Sequence, residues 1–256
     1  MGRSEVMRDQ QIELGSKTFD DYALPYHWLL KREDIFGYGT EYWGYINIIL
    51  DLLRCIKPKK VLDVGCGDGL IAETIAEQIG SEVIGIDISF RAIKFAELMS
   101  RKAKYEQIYL EDLARRGNKF DCAAVVEVLE HIHPNHCAPF LLNLLKLLDE
   151  SGYLILSVPS TKHHRLRDDH FQHFSTEQIT SLLSQTGFEI LQILFQHHIG
   201  YGHFCQFLRT IIVNNIIDFT FLKRILVKMY FCKYNLLNSS EKAGRLIILA
   251  SSGKKV

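Results

Sequence analysis

The stretch Lys60–Ser89, KVLDVGCGDGLIAETIAEQIGSEVIGIDIS, constrains this chain more than any other, because it reads as strand, glycine turn, helix, strand and acidic tip in that order. Lys60 to Val64 is largely apolar without clean alternation, the pattern of a strand covered on both faces of a parallel sheet. Gly65, Gly67 and Gly69 follow at every second position, where a turn needs positive φ and a ligand needs bare backbone. Leu70, Ile71, Ile75 and Ile79 then recur at helical spacing, so the free amides of that helix's first turn face whatever lies over the glycines. Gly80 ends the helix. Glu82 to Ile86 is a second strand of the same type, with Asp87 at its C-terminal tip, where a carboxylate accepts both hydroxyls of a ribose.

Such a turn has two readings. The dinucleotide fingerprint is G-x-G-x-x-G, and here the third glycine comes one residue early, with Leu70 where the last should stand. Asp63, two residues before the first glycine, weighs against it as well. A carboxylate there repels a pyrophosphate but accepts a charge-assisted hydrogen bond from the ammonium of an amino-acid ligand. The ligand implied is S-adenosylmethionine (SAM).

With these residues in view, D-x-G-x-G-x-G followed by Asp87 resembles motifs I and II of the class I SAM-dependent methyltransferases. The resemblance continues through LEDL (Leu110 to Leu113), similar to the family's acidic loop after the third strand, and through FDCAAVVEVLEHI (Phe120 to Ile132), SGYLILSVP (Ser151 to Pro159) and HFSTEQITSLLSQTGFEI (His173 to Ile190), an ordered set covering roughly residues 60–194. It implies an α/β fold: a Rossmann-like, seven-stranded, mostly parallel sheet with helices on both faces. The last strand, Gly244 to Ser251, would insert antiparallel between the fifth and sixth. It also implies cofactor contacts from Asp63, Gly65, Cys66, Gly67, Asp87 and Ile88, from Asp112 to the adenine amino group, from the Leu113 backbone, and from Glu127 beside the methionine moiety. In related methyltransferases the segment before motif I covers the cofactor, which makes Tyr26 and His27 candidates for a cover.

Methyl transfer from a sulfonium starts from an activated leaving group, so the protein has to align the acceptor and, for a hydroxyl, remove a proton. Glu127, Glu130 and His131 follow the fourth strand on the edge where such folds do chemistry, and His133, His136, His163, His164, His170 and His173 come soon after. E-x-x-E-H with the later His170 resembles a metal cluster of ubiquinone-pathway catechol O-methyltransferases and small-RNA 3′-end 2′-O-methyltransferases. By that resemblance Glu127, Glu130, His131 and His170 would hold magnesium or manganese, which lowers the pKa of a bound hydroxyl. The same E-V-L-E-H-I occurs in related enzymes with no metal requirement, where the histidine lines the acceptor site. His131, Glu130 and His170 are therefore the catalytic candidates with or without an ion. DDHFQHFS (Asp168 to Ser175) resembles a segment of methyltransferases from surface-polysaccharide and lipid pathways, in which His170 and His173 anchor a loop.

The expected organisation is an N-terminal arm with an aromatic lid and helix over residues 1–59, then a methyltransferase domain over 60–256 with a helical insertion at about 197–241. Gln107 to Leu110 reads as the third strand. With 30 basic and 30 acidic residues no global field draws the chain to nucleic acid, and the six cysteines show no C-x-x-C spacing. Reduced thiols, together with a charged N-terminus lacking an apolar run, lead to the expectation of a cytoplasmic protein without a signal peptide. The insertion mixes apolar and aromatic residues with Arg209, Lys223, Arg224, Lys228 and Lys233, and reads either as an interfacial contact with a membrane through 202–233 or as a cap or homodimer face. The function expected is O-methylation of a small-molecule, sugar or lipid-linked acceptor. The alternatives are a small-RNA 2′-O-methyltransferase-like enzyme and a SAM-binding regulatory protein without turnover.

Overall fold

The computed structural model describes residues 22–29, 38–162, 168–197 and 243–253. The expected arm over residues 1–20, the basic loop of His163, His164, Arg165 and Arg167, and the body of the insertion, with its membrane or dimer reading, lie outside the described residues.

Seven strands form one sheet: β1 Lys60–Val64, β2 Glu82–Asp87, β3 Lys104–Gln107, β4 Phe120–Val126, β5 Leu148–Pro159, β6 Glu189–His197 and β7 Ala243–Ser251, in the order β3-β2-β1-β4-β5-β7-β6. β7 pairs antiparallel with both β5 and β6, while β1 to β5 pair parallel. The expected sheet is the one observed. The helices are α1 Tyr38–Ile56, α2 Leu70–Gln78, α3 Phe90–Met99, α4 Leu110–Arg115, α5 Pro134–Leu147 and α6 Thr176–Gln185, with short 3₁₀ turns at Tyr26–Leu29 and Leu129–His131.

The missing alternation in the strands follows from two covered faces. Val61, Ala124, Ile155 and Ile247 face one apolar cluster, with Trp43, Ile46, Ile49 and Leu53 of α1 and Ile75 of α2. Their neighbours Leu62, Ala123, Leu156 and Ile248 face the other, with Leu113 of α4, Leu141 and Leu144 of α5 and Ile179 of α6. Each fully buried leucine or isoleucine contributes about 1.5–3 kcal/mol through area removed from water. α1 supplies much of one cluster, so the region before residue 60 packs on the sheet through this helix.

The chain differs from its sequence reading after β2. The third strand is Lys104–Gln107, not Gln107 to Leu110, and LEDL opens a helix instead of a loop. Ile108 and Leu110 are both buried, yet the chain between them leaves the sheet: Tyr109 is extended and α4 begins at Leu110, with Glu111 and Asp112 in its first turn. Acids are favoured there by the helix dipole.

Parallel pairing brings the C-terminal tips of β1, β2, β4 and β5 to one edge. Strand order reverses between β1 and β4, and that crevice is where folds of this kind bind ligands.

Candidate active site

At the end of β1 the register Val64↔Ile86 lets the amides of Gly65 and Cys66 both donate to Ile86 O, at 2.8 and 3.0 Å. Gly65, Gly67 and Gly69 have φ of 71, 56 and 85°, in the left-handed region that glycine occupies at no steric cost. Asp87 closes the turn from the next strand: its Oδ2 accepts from Gly67 N–H at 2.9 Å and its Oδ1 from Ser89 N–H at 2.8 Å. Burial still pushes this carboxyl above the usual range. Ile88 follows at the tip, with Gln107 Nε2 donating to its carbonyl at 3.1 Å. The Cys66 side chain is folded inward against Gly85, burial raises its thiol well above the ordinary value, and its carbonyl accepts from Gly69 N–H at 3.0 Å.

Asp63 lies beneath this turn, 1 % exposed, and its Oδ2 has no hydrogen-bond partner among the described residues. Burial, with the Asp87 charge adding to it, pushes the carboxyl up to about 7, against a smaller opposing pull from the Ala72 amide. A buried carboxylate with an open oxygen is what an ammonium group from a ligand would complete.

The segment before α1 closes over the turn from above. Asp68, fully buried, accepts from the His27 amide at Oδ2 (3.0 Å) and from His27 Nδ1–H at Oδ1 (2.9 Å), and its carbonyl accepts from Trp28 Nε1–H at 2.8 Å. His27 stacks on Tyr42 of α1, and the Tyr22 hydroxyl sits 2.6 Å from where a Cβ on Gly67 would be. Of the two residues expected over the cofactor, His27 is tied to Asp68 in the glycine turn, while Tyr26 is more exposed and stacks on Tyr22. Tyr22 and Asp68 were not singled out by sequence reasoning. Asp68 carried the one available signal, a carboxylate between two glycines where small residues would serve the turn as well.

The two residues expected at the adenine open α4. Leu113 buries its side chain in the core, and its amide already donates to Tyr109 O at 3.1 Å. Asp112 pairs with Arg115 one turn along α4.

At the tip of β4 the structure divides the expected four-residue cluster. Glu130, His131 and His170 come together, with one potential ligand atom from each lying within 4.8 Å of the others. Glu127 turns away, its Oε1 accepting from Ser157 Oγ at 2.8 Å and its Oε2 from Arg245 Nη2 at 2.9 Å. Glu130 is fully buried with neither carboxylate oxygen hydrogen-bonded among the described residues. Burial first, and Glu127 second, push it well above the ordinary carboxylate range. His131 Nδ1–H donates to Asp169 O at 2.9 Å, which leaves Nε2 as its lone-pair nitrogen, and the His170 ring packs edge-on to it at 4.7 Å. His170 Nδ1 is 3.0 Å from His173 Nε2, so these two histidines also anchor each other as the loop reading expected. Ser175 caps α6 in a capping box with Gln178.

Comparison with known proteins agrees with this geometry. Residues 43–193 match the methyltransferase domain family, and the chain belongs to it. Within that family its sheet, glycine turn and acidic tip are those of a class I SAM-dependent methyltransferase. A ubiquinone biosynthesis O-methyltransferase from Alkalilimnicola ehrlichii is 38 % identical over 92 residues, which is 34 % of this chain and 37 % of that protein. The protein of the same name from Nitrosomonas europaea is 32 % identical over 117 residues, 44 % of this chain and 48 % of that protein. The matched stretch thus spans less than half the length of these relatives. Among solved structures, the plantazolicin methyltransferase superposes with a TM-score of 0.61 at 14 % identity, covering 99 % of this chain and 100 % of that one. Magnesium protoporphyrin IX methyltransferase from Synechocystis gives 0.56 at 18 % identity, covering 98 % and 97 %. At these identities the likeness is one of fold.

Proposed function

We propose that this chain transfers a methyl group from SAM to an oxygen of a small-molecule, sugar or lipid-linked acceptor. The observation that carries the cofactor half is the pair Asp63 and Asp87 on either side of a glycine turn, one open carboxylate for an ammonium and one strand-tip carboxylate for a ribose. SAM supplies an activated methyl on a sulfonium, so the chain's own task is alignment and proton removal. Asp63 binds the ammonium, Asp87 orients the ribose, and the His27–Trp28 segment excludes water above Gly67. His131, with its tautomer held by Asp169 O, presents Nε2 as the base toward an acceptor hydroxyl. The likeness to ubiquinone biosynthesis O-methyltransferases favours oxygen as the acceptor atom.

A divalent cation fits the same place, because the buried carboxylate of Glu130, with no hydrogen bond to either oxygen among the described residues, calls for a positive partner when it is charged. Glu130, His131 Nε2 and His170 would hold it, with Asp169 O behind His131, and the Nε2 lone pair would then serve the ion in place of acting as the base. When bound, such an ion lowers the pKa of an acceptor hydroxyl. A lipid-linked acceptor and a peripheral membrane contact through 202–233 belong to the same proposal. Among the described residues no helix is long and apolar enough to cross a membrane.

Calorimetry tests the cofactor assignment: SAM and S-adenosylhomocysteine should bind and NAD should not. Asp87→Ala should weaken both by about 1–3 kcal/mol, the range for lost bonds to a charged acceptor. Unchanged affinity in that variant would remove the assignment. For the acceptor, release of S-adenosylhomocysteine from catechol, sugar and polyprenyl-phenol pools is measured with and without chelator. Full turnover in excess chelator leaves His131 as base alone, and binding without turnover on every pool favours the regulatory reading.

A further inference from the structure

We infer that Arg245, on the last strand, is a positioning residue of the cofactor site, acting through the backbone of Glu127; the inference rests on the SAM-site reading above. Only Lys57 and Glu127 have positive φ among the described non-glycine residues, at 50 and 56°. Lys57 closes the end of α1, its amide donating to Leu53 O at 2.8 Å, a common helix terminus. Glu127 ends no helix. It leaves the buried strand β4 at the catalytic edge, where a strained conformation persists only if its surroundings impose it.

The Glu127 amide donates to Ser157 O at 3.2 Å, and its carboxylate is shared between Ser157 Oγ and Arg245 Nη2 at 2.8 and 2.9 Å. Arg245 is itself fixed on two further sides: Nη1 donates to Gln196 Oε1 at 3.0 Å, and the guanidinium lies 4.2 Å over the Tyr45 ring. Arg245 and Gln196 are both buried. The planar fork bonds Glu127 and Gln196 at once with its carbon over the Tyr45 ring, which the point charge of a lysine does not reproduce. Residues from β5, β6, β7 and α1 thus converge on one left-handed residue.

That conformation decides where the next side chain goes. Val128 Cγ2 lies 2.5 Å from the position a Cβ on Gly65 would take, so Val128 is seated on the first glycine of the cofactor turn. A Glu127 released from positive φ would lift Val128 and unseat Gly65. The Arg245 tie therefore reaches the cofactor site through one residue's backbone and one valine.

The test contrasts Glu127→Gly with Glu127→Ala. Glycine holds positive φ with no carboxylate, whereas alanine loses the tie and still carries a Cβ. S-adenosylhomocysteine affinity is measured by calorimetry on each folded variant. Glu127→Ala should bind about tenfold more weakly than Glu127→Gly, and Arg245→Met and Arg245→Lys about tenfold more weakly than the parent, the size expected of released backbone strain. Adding Arg245→Met to Glu127→Gly should cost no more than about another threefold, and the double change leaves neither the half-buried Glu127 carboxylate nor the buried Arg245 guanidinium without its partner. Equal losses for the glycine and alanine variants would mean that the carboxylate itself touches the ligand and would overturn the inference, as would parental affinity in Arg245→Met. If the parent binds no S-adenosylhomocysteine, the cofactor reading fails and a second readout decides this one. Hydrogen exchange at the Val128 to His131 amides should then be slow in the parent and the Glu127→Gly variant and fast in Glu127→Ala and Arg245→Met. Uniform exchange across all four would overturn it.

Discussion

His27 and Asp68, 41 positions apart in the chain, are joined twice: Asp68 Oδ2 accepts from the His27 amide at 3.0 Å and Oδ1 from its ring at 2.9 Å. This latch holds the segment before α1 down on the glycine turn. Asp68→Ala should free residues 22–29, lower stability by about 1–3 kcal/mol, and speed dissociation of S-adenosylhomocysteine. His27→Phe keeps the stack on Tyr42 and should lose less. Hydrogen exchange at the Tyr26 to Trp28 amides and stopped-flow dissociation measure both effects, and unaltered exchange in Asp68→Ala would rule out the latch.

The pH dependence of cofactor binding follows from Asp63. Its carboxyl is raised from the ordinary 3.8 to about 7 in the folded chain, so between those values the folded state holds a proton that the unfolded state has released. By linkage the free protein loses stability as pH rises through that window. A ligand ammonium pairs with the ionised form, so affinity should rise with pH, by up to about tenfold per unit below 7, and level off above it. Calorimetry from pH 5.5 to 8.5 gives the curve, and Asp63→Asn should flatten it.

Glu73 makes a prediction of opposite sign. Its buried carboxylate accepts from the amides of Arg101, Lys102 and Ala103 at 2.9 to 3.2 Å, capping the loop between α3 and β3. Burial alone would raise its pKa, but the amides outweigh burial and hold it below the ordinary 4.5. A depressed folded pKa contributes stability that is present above 4.5 and lost as pH falls through the folded value. Glu73→Gln should cost about 1–3 kcal/mol at neutral pH. Thermal denaturation should show that cost shrinking in acid, and a pH-independent difference would reject the mechanism.

Gly67→Ala combines two penalties. The residue has φ of 56°, and a Cβ there would meet the Tyr22 hydroxyl at 2.6 Å. The backbone term alone is about 1–2 kcal/mol. The variant should also hold the cover away from the turn, so a melting-temperature drop should accompany loss of S-adenosylhomocysteine binding. Parental affinity would mean that Gly67 is not part of the cofactor surface.

The sequence by itself determined the sheet, the glycine turn and the acidic tip, because each is written in a local period or a fixed spacing: two apolar faces along β1 and β4, glycine at 65, 67 and 69, a carboxylate at the end of β2. It also placed Glu130, His131 and His170 in one cluster by resemblance. It misplaced β3 and read LEDL as a loop, since Ile108 and Leu110 bury equally well on a strand face or on either side of a strand-to-helix turn. Tertiary structure alone decided which long-range partners meet at the sheet edge. Glu127 pairs with Arg245, 118 positions away, and not with the cluster beside it, because β7 inserts next to β5 and carries a guanidinium to the tip of β4. Asp68 is a latch only because the chain before α1 crosses back over β1. Such pairings depend on strand order and crossover path, and no local spacing encodes either.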